Sequence, residues 1–94
     1  MESLIQEFTA EITDEDGHAY TARALGRKRA DGLWSGYIEF RPRGRGGLPR
    51  RTAAETTQPN LDALRYWASG LEPVYLEGAL ERAIGRSERT RSSR

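Results

Sequence analysis

The sequence predicts an α+β domain: a three- or four-stranded antiparallel meander followed by two C-terminal helices packed on one face. Two patterns carry this expectation. Apolar and polar residues alternate with period two through the first forty or so positions, interrupted by two glycine-containing turns, and then give way to a helical period.

In the first strand, Gln6 to Thr13, Phe8, Ala10 and Ile12 fall on one side and Glu7, Thr9, Glu11 and Thr13 on the other. Asp16-Gly17, within the turn that opens at Asp14, is a strong hairpin signal, because glycine accepts a positive φ. The returning strand, Ala19 to Lys28, puts Tyr20, Ala22 and Ala24 on one face, with Thr21, Arg23 and Leu25 opposite. Arg29-Ala30-Asp31-Gly32 repeats the turn signal. Leu33 to Arg41 is the third strand, with Trp34, Gly36, Ile38 and Phe40 on one face and Tyr37 and Glu39 on the other. Pro42 to Arg50 is a loop, and Arg51 to Thr56 is a short fourth-strand candidate of low β-propensity.

For the first helix, Thr57 is the expected N-cap, with Pro59 tolerated in the first turn. Leu61, Leu64, Trp67, Ala68 and Leu71 make its apolar stripe, and Gly70 stands where a left-handed ending of the Schellman type belongs. Pro73 opens the second helix, Leu76, Ala79, Leu80, Ala83 and Ile84 form its stripe, and Gly85 is its expected end. Residues 1–85 thus form a single domain, and residues 86–94 a disordered basic tail. The small residues Ala10, Ala22, Ala24 and Gly36 share sheet faces with large ones, so a helix carrying Leu64 and Trp67 can approach closely.

Composition narrows the function classes. Val, Ile, Leu and Phe make up 16 of 94 residues, which predicts a small core in a polar domain. The chain has no cysteine, which excludes disulfides and cysteine-based zinc sites. Its longest apolar runs, such as Val74-Tyr75-Leu76, are three residues, so neither a membrane helix nor a signal-peptide core is expected, and a cytoplasmic location follows by default. The single histidine, His18, lies in an acidic turn without a triad or nucleophile-elbow context. Glu77 and Glu81, one helical turn apart, are half a metal site at most. They suit pairing with a base such as Arg65 or one of the 41–51 arginines better. No catalytic residue, cofactor or metal is expected.

Charge is balanced in sum, with 15 bases and 14 acids, but not in position. Residues 1–20 hold six acids and no base, while residues 21–51 hold nine bases against Asp31 and Glu39. The Arg/Gly-rich segment, with Arg41, Arg43, Arg45, Arg50 and Arg51, is a candidate for weak nucleic-acid contact, flexible glycine and arginine suiting phosphate and base stacking. Meander topology works against it. The acidic turn lies at the same end of the sheet as this loop, while Arg27, Lys28 and Arg29 lie at the other, so the bases are divided and partly neutralised. Tyr37, Tyr66 and Tyr75 fall off the core stripes, and aromatics together with arginine are the types enriched at protein interfaces.

The segments Glu55-Thr-Thr-Gln-Pro-Asn60, Tyr66-Trp-Ala-Ser-Gly-Leu71 and Val74-Tyr-Leu-Glu-Gly-Ala-Leu80 resemble a small bacterial domain family of uncharacterised function. The resemblance implies a bacterial origin and brings no site residues with it. Together these observations favour a non-enzymatic module for protein interaction or self-association, such as a homodimer. Weak nucleic-acid binding through 41–51 is the alternative.

Overall fold

The computed structural model describes residues 1–44 and 47–92, with side chains through Arg86. It is an α+β fold in which strands β1 (Glu2–Thr13), β2 (Ala19–Lys28), β3 (Trp34–Pro42), β4 (Arg50–Arg51) and β5 (Thr56–Gln58) precede helices α1 (Leu61–Ser69) and α2 (Pro73–Ser92). Every strand pairing is antiparallel. The sheet runs β1-β2-β3-β4, and β5 also pairs with β3.

Both hairpin turns close as the glycines require. Gly17 and Gly32 have φ of 85° and 88°, and each donates its N–H to the carbonyl three residues back, on Asp14 and Arg29. The second turn sets a continuous β2–β3 register from Lys28↔Trp34 to Tyr20↔Pro42. The first hairpin is less regular. Thr13↔Ala19, Ile12↔Tyr20 and Glu11↔Thr21 follow the turn, but the ladder slips between Glu11 and Glu7 and again between Gln6 and Leu4. These bulges let β1 begin at Glu2, four residues ahead of the sequence-based expectation, and they pair Glu7 with Arg23 and Glu2 with Arg27.

Beyond β3 the returning chain pairs twice. Arg50 and Arg51 lie opposite Phe40 and Glu39, and Thr56 to Gln58 lie opposite Gly36 to Trp34. The expected fourth strand is therefore two short ones. Thr52 carries the ladder across the gap: its N–H donates to the Ile38 carbonyl at 3.0 Å, and its hydroxyl accepts the Ile38 N–H at 3.0 Å. Glu55 N–H then donates to the Gly36 carbonyl at 2.7 Å.

Two helix boundaries and the geometry of one helix ending differ from the sequence-based expectation. Thr57 is drawn into β5 opposite Ser35, and Asn60 is the N-cap of α1 instead, its Oδ1 accepting the Ala63 N–H at 2.8 Å. Gly70 ends α1 at φ −93°, so no left-handed Schellman turn forms; its N–H reaches the carbonyls of Trp67 and Ala68. α2 starts at Pro73 as expected but continues through Gly85 to Ser92, so residues 86–92 of the expected tail are helical. A glycine inside a helix costs only about 1 kcal/mol, and extending a helix already nucleated adds one hydrogen bond per residue.

The core lies between one sheet face and the two helices. Ile12, Tyr20, Ala22, Ala24, Ile38 and Phe40 meet Ala68, Leu76, Ala79, Leu80 and Ala83. The small sheet residues do allow close approach. A Cβ on Gly36 would stand 2.6 Å from Leu64 Cδ1 and 3.0 Å from both Thr56 Cγ2 and Trp67 Cζ3.

Leu64 is wholly buried and cannot swing aside. Gly36→Ala should therefore destabilise the fold by about 1–3 kcal/mol. Gly78→Ala, whose Cβ would meet only Arg82 Nη1 at 3.4 Å, should stabilise α2 by about 0.5–1 kcal/mol. Urea denaturation of both variants checks the contrast.

Candidate functional site

The other face of the sheet has no helix over it among the described residues, and it is built from charge. Alternation places Arg23, Leu25 and Arg27 of β2 there with Tyr37, Glu39 and Arg41 of β3. Register then aligns Glu7, Arg23, Glu39 and Arg51 in one row across β1 to β4, with signs alternating.

Glu39 is the centre of this face. Only 2% of its side chain is exposed, and three arginines donate to it: Arg23 Nε at 2.7 Å and Arg41 Nε at 3.0 Å to Oε1, and Arg51 Nε at 2.9 Å to Oε2. Arg51 continues to Glu2, with Nη1 to Oε2 at 2.8 Å and Nη2 to Oε1 at 3.2 Å. Tyr37 donates its hydroxyl to the same Glu2 carboxylate. The Arg27 and Arg51 guanidinium carbons lie 5.9 and 5.8 Å from the Tyr37 ring centroid, in cation–π range. Burial pushes the Glu39 carboxyl up, but the hydrogen bonds from Arg23, Arg41 and Arg51 outweigh it and hold the pKa down at about 2. For Tyr37, burial and then the Glu2 hydrogen bond raise the phenol above its ordinary value.

Of the candidate nucleic-acid residues, Arg41 and Arg51 are bound into this network, and Arg43 pairs with Glu11 at 3.1 Å. Arg50 points elsewhere, into a cleft of about 420 Å³ lined also by Asp14, Glu15, Asp16, His18, Tyr20 and Glu81. Arg45 lies outside the described residues. The basic segment does sit beside the first turn, where Arg43 N–H donates to the Ala19 carbonyl at 2.9 Å. The ion-pair partners of its described residues, however, are carboxylates of the strands and not those of the turn.

Of the candidate interface tyrosines, Tyr37 is buried in the network just described. Tyr75 is half-buried and donates to Glu55 Oε1 at 2.5 Å, while Arg82 grips Glu55 from Nη2 at 2.6 Å and Nε at 3.2 Å. Burial and the Glu55 bond push the Tyr75 phenol up to about 12. This cluster fastens the 52–55 crossing to α2. Tyr66 alone of the three stands in solvent, 82% exposed.

Asp14, Asp16 and His18 bring one ligand atom each within 4.8 Å of one another. The central carboxylate is already engaged: Asp14 accepts the N–H groups of Asp16 and His18 at 2.9 Å each and the Tyr20 hydroxyl at 3.2 Å, and His18 Nδ1 lies 3.3 Å away. Desolvation raises its pKa, but these donors prevail and keep it low. The arrangement shapes a turn and offers no open ligand set. Glu77 and Glu81 form no ion pair among the described residues; Arg65 lies 3.7 Å from Asp62 instead.

Sequence reasoning missed Glu39, Arg23 and Glu2 as a site. Part of the signal was present, since counting back from the Arg29–Gly32 turn puts Arg23 opposite Glu39. The chain has no match among family models, curated proteins or solved structures. No helix of the described residues is long and apolar enough to cross a membrane.

A carboxylate held at about 2 instead of the ordinary 4.5 stabilises the fold fully above pH 4.5, and that stability is lost as pH falls through 2. Glu39→Gln should cost on the order of 2–3 kcal/mol at pH 7, and the gap to the wild type should close on acidification through that window. Urea titrations from pH 7 to about pH 2 read the difference.

Proposed function

We propose that this chain is a non-enzymatic protein-interaction module that self-associates through the helix-free face of its sheet. What supports this is the polarity of that face. β1 contributes Glu2, Glu7 and Glu11 along one side, whereas β2 to β4 contribute Arg23, Arg27, Arg41 and Arg51. A second copy related by a two-fold axis parallel to the strands lays its acidic side over this copy's basic side. Such an arrangement is self-complementary, as an isologous dimer requires. The face also exposes apolar surface at its β1 margin, where Leu4 is 51% exposed. Arginine and tyrosine, the interface-enriched types, are fixed on it in one geometry, which lowers the ordering cost of association.

Of the described arginines of 41–51, Arg43 and Arg51 have terminal nitrogens committed to Glu11 and Glu2 and Arg50 lies on the opposite face, so no row of free cations forms, and this favours the interaction reading over the nucleic-acid one. A polyanion binder needs cations released to phosphate.

The test is light scattering after size exclusion over a range of protein and salt concentrations. The expected result is a dimer at high protein concentration that dissociates as salt rises. Leu4→Arg should reduce it, while Tyr66→Ser on the helix side should leave it intact. A monomer at every concentration at low salt overturns the proposal.

A further inference from the structure

Arg23 and Arg41 share a single oxygen, Glu39 Oε1, through their Nε atoms at 2.7 and 3.0 Å. Two like-charged planar groups are thus held side by side, each steered by a carboxylate buried beneath them. Arg51, the third arginine on Glu39, donates to Glu2 through Nη1, and its Nη2 lies between Glu2 and Glu39. The terminal nitrogens of Arg23 and Arg41 have no acceptor among the described residues. The two side chains are 28% and 55% exposed, and the residues line a groove of about 340 Å³ together with Thr21 and Glu7. Thr21 lies directly opposite Arg41 in the ladder, and its hydroxyl makes no hydrogen bond among the described residues.

We propose that Arg23, Arg41 and Thr21 form a seat for an oxyanion, a phosphate or carboxylate group carried by a ligand. The guanidinium fork matches such groups, and Glu39 has already fixed both forks, so little side-chain freedom is lost on binding. A bound anion also relieves the repulsion between the paired arginines. Glu7 on the groove wall opposes it, and its negative charge sets a threshold that excludes weakly bound anions. The seat goes beyond self-association and belongs to the monomer, since in the proposed dimer the same two arginines face the partner's acidic side.

The test is NMR of the arginine Nε–Hε groups in the full chain, titrated with sodium phosphate, sodium acetate or sodium chloride at constant ionic strength. Arg23 and Arg41 signals should shift saturably with phosphate or acetate and not with chloride. Preference for phosphate assigns the seat to phosphorylated ligands, and preference for acetate assigns it to acidic side chains. Arg41→Gln should weaken binding at least about tenfold. Glu7→Gln, which touches neither arginine's bond to Glu39, should tighten it, and this variant decides the matter if Arg41→Gln fails to fold. Chloride-like shifts spread over all arginines, or affinity unchanged in both variants, overturn the proposal.

Discussion

The buried carboxylate of Glu39 is the constraint on which the sheet depends. It sits between Ile38 and Phe40, both fully buried on the opposite face, so its backbone is anchored by the core it turns away from. A charge so placed is tolerable only when paired and hydrogen-bonded. Its three donors come from β2, β3 and β4, and Arg51 extends the chain of contacts to Glu2 on β1. All four strands of the main path are therefore joined on the face opposite the helix-packed core. β4, only two residues long, owes its position to this network and to the Thr52 bonds that follow it.

The arrangement also explains how a chain poor in aliphatic residues makes a layered domain. The helices cover one face with alanines and leucines, close enough that glycine is required at position 36. The other face is roofed by guanidiniums and their hydrocarbon stems. Leu25, on that face, is 2% exposed although no helix among the described residues lies above it. The near-neutral total charge is thus partly an internal matter: Glu2 and Glu11 of the acidic start hold Arg51 and Arg43 of the basic middle, Glu39 pairs within that middle, and Glu55 holds Arg82 of α2.

Much of this fold was legible in the sequence. The β2 limits, both glycine turns, the Pro73 start and the apolar stripes of both helices follow from period and turn chemistry alone. What was not legible depends on pairing between distant segments. Thr57 is a good N-cap by type, but Ser35 claims it for β5, a competition that no local window contains. The Arg23–Glu39 pair could be counted from the second turn. The Glu2 and Glu7 partnerships could not, because the slips in β1 are set by tertiary packing. In the uninterrupted register of the first turn, Thr9 would face Arg23 and Ile5 would face Arg27. The slips bring carboxylates to both arginines and turn Ile5 toward Gly26 and the helices.

Those same slips change what β1 can do at its outer side, where no other strand among the described residues is hydrogen-bonded to it. A regular strand of twelve residues would be a template for endless strand addition and hence for fibres or precipitates. Two bulges interrupt its outward row of amides and carbonyls, and acidic side chains along it repel an identical strand. The irregularity that completes the charged face therefore also makes the rim of the sheet a poor template for a further strand.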